Sequence, residues 1–206
     1  MKEAQTDRIV DVVSVVIISF ATVFSAWCGY RAATWGGLVS QNFSMSNALH
    51  LRAAESLDRA NATQAVDVAL FTHYIIADLE GHRNVAEYIR SRFRPEMQPA
   101  FKAWLATKPA TNPAAPRTPF AMKEYSLATR QEAEKFDAQA QQHFDDASRA
   151  RSFSDRYVLL TVLFASVSFL GGISIKLRPP LHIILVSFGT LVLIGASIAM
   201  FLMPTA

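Results

Sequence analysis

Residues 92–119 read RFRPEMQPAFKAWLATKPATNPAAPRTP, and six of the nine prolines in the chain fall inside this stretch, at 95, 99, 109, 113, 116 and 119. A proline removes a helical hydrogen bond and pushes the residue before it out of helical geometry, so a long helix arriving here must stop near Phe93. Pro95 can then open a short new helix. On that helix Met97, Phe101, Trp104 and Leu105 share one face. The segment KPATNPAAPRTP that follows supports neither regular helix nor central strand, and reads as a stiff, extended return. The stretch is an elbow, at residues 94–119, with an apolar face. Two readings of that face stand side by side: Phe101 and Trp104 cap the protein's own core, or Met97, Phe101, Trp104 and Leu105 dock on a partner.

Outward from the elbow the chain becomes helical, then apolar. The composition is 51% hydrophobic and 18% charged, but the apolar residues gather in runs at 9–30, 157–175 and 181–203. A bilayer core of ~30 Å takes about 20 helical residues to cross. Three transmembrane helices are expected. They leave a tail at 1–8, a short basic link at 176–180, and a large extramembrane segment at 31–156. Acids at Glu3, Asp7 and Asp11 and the length of the first run argue for a retained anchor over a cleaved signal peptide. The fold class is therefore all-α membrane protein, with a long helical hairpin or bundle inserted between the first and second spans.

Within the insert, Leu38, Met45, Leu49, Ala53, Ser56 and Ala60 recur at helical spacing. Val66, Leu70, His73 and Ala77 form a further face, which Val85, Tyr88, Ile89 and Phe93 continue beyond Gly81. Gly36 and Gly37 weaken the helix just past the first span, since each costs ~1 kcal/mol relative to Ala. They are a candidate hinge or a point of close helix approach. After the elbow a helix is expected from Phe120, with Tyr125, Ala128, Phe136, Ala140, Phe144, Ala147 and Tyr157 along one side. This stripe needs a partner, and the ascending arm is the obvious one. The arms differ in length, so the first is expected to break near Asp58–Thr63 or near 81–84.

Orientation rests on Lys and Arg beside the spans. Lys2 and Arg8 in the tail and Lys176 and Arg178 in the link lie on one side; Arg31, Arg149, Arg151 and Arg156 lie on the other. The short segments carry the denser charge, which favours a cytoplasmic N-terminus and residues 31–156 outside. The net charge of +3 has no dense basic stripe, so nucleic-acid binding has no support. The single Cys28 cannot form an internal disulfide.

At RFRPEMQPAFKAWLATKPATNPAAPRTPFAMKEY, and again at TVFSAWCGYRAATWGG and SDRYVLLTVLFASVSFLGGI, the chain resembles a family of uncharacterised bacterial three-span inner-membrane proteins. The resemblance covers most of the chain, and the elbow with its RFRPE and AWLAT segments is its specific part. It implies a bacterial inner-membrane location. It implies no activity and supplies no catalytic residues.

Few residues point to chemistry. Asp78, Glu80 and His82, with Asp67 and His73 nearby, are the densest carboxylate and histidine cluster, but the spacing matches no metal motif. No nucleophile motif or phosphate loop is present, so neither enzyme, metal nor cofactor is expected. In the spans, Asp11, Ser14 and Ser25 are a candidate intramembrane polar site. Ser168/Gly172 and Gly195/Ala199 are small-residue pairs that allow close helix packing. The leading expectation is a non-enzymatic accessory or scaffold subunit, in contact with lipid, that presents its helical domain to protein partners. A homo-oligomeric ion channel or transporter lined by Asp11, Ser14 and Ser25 is the alternative. A sensor working through Gly36 and Gly37 is a third reading, and it too needs a partner.

Overall fold

A computed structural model describes residues 2–177 and 180–204, with side chains from residue 11 onward. The side chains of Lys2 and Arg8, and the whole of Arg178, on which the orientation argument leans, lie outside the described residues. Among the described residues the chain is helical without strands: α1 (Lys2–Leu79), α2 (Arg83–Ser91), α3 (Met97–Ala106), a 3-10 turn (Pro119–Ala121), α4 (Ala128–Ser174) and α5 (Leu181–Leu202). Three of these helices, α1, α4 and α5, contain segments long and apolar enough to cross a membrane.

Several boundaries differ from expectation. The helix α1 runs unbroken through Gly36, Gly37 and Asp58–Thr63. It stops where Gly81 takes a left-handed conformation, φ 79°. There the Gly81 and His82 amides donate back to the Asp78 and Ala77 carbonyls, closing the helix end. The helix expected from Phe120 begins only at Ala128, because Pro119 opens a single 3-10 turn and the chain then extends through Met122.

Contacts divide the chain into two compact units. The first comprises Met1–Met45 with Gln142–Ala206. Its core joins Ile17, Ala21, Cys28, Tyr157, Phe164, Val167, Val186, Ala196 and Met200. Ser14, Ala21 and Cys28, seven residues apart on α1, are fully buried. They meet the α4 side, where Tyr157 and Phe164 keep the same interval. A repeat of seven keeps one seam of a helix facing its neighbour. Ser25 Oγ donates to the Thr161 carbonyl at 3.3 Å and Ser154 Oγ to the Ala32 carbonyl at 3.0 Å, so the helices run antiparallel here. The outward side, including Val12, Val16, Phe20, Val23, Phe169, Leu191 and Phe201, is apolar and exposed.

The second unit is Ser46–Gln141. Here Ser46, Ala53, Ala60 and Asp67 repeat every seven residues along α1 and are all buried, as are Ala133 and Ala140 of α4. The contact is close enough for Ser46 Oγ to donate to the Ala140 backbone carbonyl at 2.9 Å. His50 lies 3.2 Å from Asp137, and Arg130 donates to Asn61 and Gln64. Of the stripe expected along α4, Ala140, Ala147 and Tyr157 are buried, whereas Phe144 is exposed and Phe136 only half-buried, so in this unit the seam of α4 is made of alanine. Of the α1 face expected through Val66, Leu70, His73 and Ala77, Val66 and His73 are turned outward, Leu70 is half-buried and Ala77 is buried, and Asp67 and Phe71 join the buried side.

Close approach occurs at other glycines than those the sequence pointed to. A Cβ on Gly36 would meet Ser154 Oγ at an ordinary 3.9 Å, and one on Gly37, Gly172 or Gly195 would meet nothing within 4 Å. A Cβ on Gly171 would lie 2.7 Å from Ile18 Cγ1. We predict that Gly171→Ala destabilises the detergent-solubilised protein by about 1–3 kcal/mol through overpacking, read as a lowered melting temperature. Gly172→Ala should leave it unchanged, and adding Ile18→Ala to Gly171→Ala should recover most of the loss.

Candidate functional site

The elbow is built around an aromatic cluster within the second unit. Phe71 of α1 meets Trp104 of α3 edge-on at 5.3 Å, and Phe101 meets Tyr74 and Phe93 at 5.0 Å each, also edge-on. Such edge-to-face pairs add about 0.5–1.5 kcal/mol beyond area burial. Phe120 and Tyr125 close the cluster from the far side of the return, their rings 5.0 Å apart. Of the four residues offered as a docking face, Met97, Phe101 and Trp104 are buried in this core, and only Leu105, 39% exposed, reaches the surface. This is a correction to the docking expectation. The short helix turns its apolar face onto α1 because Phe71 and Tyr74 offer it the larger apolar surface.

A buried carboxylate fixes the elbow to α1. Asp67 is fully buried. Its Oδ2 accepts a hydrogen bond from the Tyr125 hydroxyl at 2.9 Å. Its Oδ1 lies 3.3 Å from Arg94 Nε, at ion-pair distance but without the alignment of a hydrogen bond. Arg94 also pairs with Glu96 at 3.2 Å. One carboxylate thus holds both ends of the elbow, through the residue before Pro95 and through the tyrosine before α4. Burial, and then the hydrogen bond to Asp67, raise the Tyr125 hydroxyl above the usual tyrosine range. Asp67 was read from sequence only as a neighbour of the 78–82 cluster. The available signal was an acid at the fourth position of a seven-residue series otherwise made of Ser and Ala.

The proline return is ordered by its own polar groups. Trp104 Nε1 donates to the Pro116 carbonyl at 2.7 Å. Asn112 Nδ2 donates to the Thr107 carbonyl, and Asn112 Oδ1 accepts from the Ala114 amide. Between this return and α1 lies an open groove of about 700 Å³. Phe71, Ile75, Leu79 and Leu105 give it an apolar floor, and Asp78, Lys108 and Arg117 bring charge to it.

The polar residues of the spans are used within the chain. Ser14 Oγ lies 3.5 Å from Ser174 Oγ, and Ser25 donates to Thr161 as above. Asp11, half-exposed, has its Oδ1 3.9 Å from Nε2 of the buried His182. The structure thus brings Asp11 and Ser14 to one end of the first unit and turns both serines into helix contacts. His182 and Ser174 complete that cluster and went unnoticed in the sequence. Among the described residues no three His, Cys, Asp or Glu side chains meet as a metal site requires. Glu80 and His82 are 3.8 Å apart at an exposed turn.

No family model, curated protein or solved structure matches this chain.

Breaking the Asp67 clasp has a predictable cost. Arg94→Met leaves a buried charge with one partner and should destabilise by roughly 2–4 kcal/mol, discounted because the guanidinium is partly exposed. Tyr125→Phe should cost about 1–2 kcal/mol at neutral pH. The folded protein holds the Tyr125 proton more tightly than the unfolded chain does, so this stability is full below about pH 10 and is lost as pH rises beyond it. Chemical denaturation against pH should show an alkaline decline in the wild type that is shallower in Tyr125→Phe.

Proposed function

We propose that this chain is a non-enzymatic integral membrane protein of the bacterial inner membrane, an accessory or scaffold subunit that presents a helical extramembrane hairpin to protein partners. The spans hold it in the bilayer, the N-terminus is cytoplasmic, and the Ser46–Gln141 unit is the part offered for recognition. One observation carries the reading. Leu57, Val68 and Leu79 of α1 are 42%, 40% and 82% exposed. They stand eleven residues apart, which is three helical turns plus about 20°, so they form one stripe. Unlike the apolar surface of the spanning helices, this stripe belongs to a segment too polar to be covered by lipid. Covering what remains exposed is worth on the order of 1 kcal/mol each at Leu57 and Val68 and about twice that at Leu79, before the cost of association. The channel alternative gains less support, since Ser14 and Ser25 are engaged in helix contacts of a single chain.

The test is the native mass of the complex after gentle extraction, by mass photometry and mass spectrometry. The expected result is other proteins at fixed ratio in the wild type, lost in a Leu57→Ser/Val68→Ser/Leu79→Ser variant that keeps its melting temperature. A closed ring of identical chains, unchanged in the variant, would replace this reading with the channel. Orientation is read separately, from labelling of Ala110→Cys in a Cys28→Ser background. A membrane-impermeant maleimide should reach it from outside the inner membrane.

A further inference from the structure

The groove under the proline return has the size and lining of a small-ligand site, since such sites are concave, mostly apolar, and carry a few placed polar groups. Its walls are preformed: the Trp104–Pro116 bond and the two Asn112 side-chain bonds hold the return in place. Its charged groups are unequal. Lys108 and Arg117 face the groove against the single acid Asp78, and none of the three makes an ion pair among the described residues.

Lys108 carries a second mark. It follows α3 with φ 54°, the left-handed position at a helix end that Gly or Asn usually fills. An L residue is strained there, because its Cβ crowds the neighbouring carbonyl oxygen. Its backbone does the work of that position, with the Lys108 carbonyl accepting from the Thr111 and Asn112 amides at 3.0 and 2.9 Å. The backbone geometry gives no reason for a lysine, and its side chain lines the groove.

We propose that this groove binds a soluble amphipathic carboxylate: an aromatic or branched apolar body against Phe71, Ile75, Leu79 and Leu105, with its carboxylate between Lys108 and Arg117. Asp78 opposes the anion and limits its affinity. The site shares Leu79 with the partner-binding stripe, but Lys108→Asn and Asp78→Asn leave that stripe intact, so the failure of one reading is distinguishable from the failure of the other.

The full chain in zwitterionic lipid nanodiscs is titrated with 4-phenylbutyrate and with the neutral 4-phenylbutanamide, each corrected against empty nanodiscs, by saturation-transfer NMR or calorimetry. The acid should bind saturably and about tenfold more tightly than the amide, from two exposed ion pairs. Lys108→Asn should weaken the acid by about threefold and leave the amide unchanged, and Asp78→Asn should strengthen the acid by a similar factor. Asn suits the left-handed position, so the Lys108→Asn melting temperature should hold or rise, which separates a lost charge from a lost fold. Equal affinity for acid and amide, no saturable binding of either, or a Lys108→Asn variant that binds the acid as the wild type does would each overturn the proposal.

Discussion

The second unit depends on one buried carboxylate. Asp67 sits in the helix seam with no access to water, where an uncompensated charge costs several kcal/mol. Arg94 and Tyr125 answer it, and they come from opposite ends of the elbow. The charge therefore acts as a registration pin. Sliding the elbow along α1 by one turn would leave Asp67 facing apolar neighbours, whereas aromatic packing alone would tolerate many sliding positions. The aromatic cluster supplies the larger part of the burial, and the ion pair selects which arrangement of that cluster is adopted.

Small side chains set the rest. Ala53, Ala60, Ala133 and Ala140 in one unit, and Ser14, Ala21 and Cys28 in the other, let α1 and α4 approach until side-chain hydroxyls reach the neighbour's backbone. Such a seam buries little apolar area per residue. It is offset by close main-chain packing, the same closeness that would put a Cβ on Gly171 2.7 Å from Ile18 Cγ1. Bulky residues can then be concentrated where α3 and the return need to be held.

The sequence made the apolar runs and the proline-terminated helix legible, since both rest on local rules: about twenty apolar residues to cross a bilayer, and no helix through Pro95. What it hid depends on which side of a helix faces inward. The spacing of Val66, Leu70, His73 and Ala77 predicts one buried face, yet Val66 and His73 point outward and the seam runs one position later, through Asp67. Phe136 and Phe144 stand out by size, although Ala133, Ala140 and Ala147 are the residues that α4 buries there. Gly36 and Gly37 read as a hinge or a point of close approach, but α1 runs straight through both, and a Cβ at either would have room. At the elbow, Met97, Phe101 and Trp104 were identified correctly as one face, but the sequence left open whether that face turns inward or outward. The answer came from Phe71 and Tyr74, some thirty residues away.

The bond between the Trp104 indole and the Pro116 carbonyl has an optical consequence. The chain has three tryptophans, and Trp27 and Trp35 both lie in the unit that holds the long apolar helix segments. Trp104 alone belongs to Ser46–Gln141, buried and hydrogen-bonded at 2.7 Å to the return it supports. The elbow therefore carries its own fluorophore. Replacing Trp27 and Trp35 by phenylalanine would leave a single emitter whose wavelength reports whether water has entered between the short helix and the proline return.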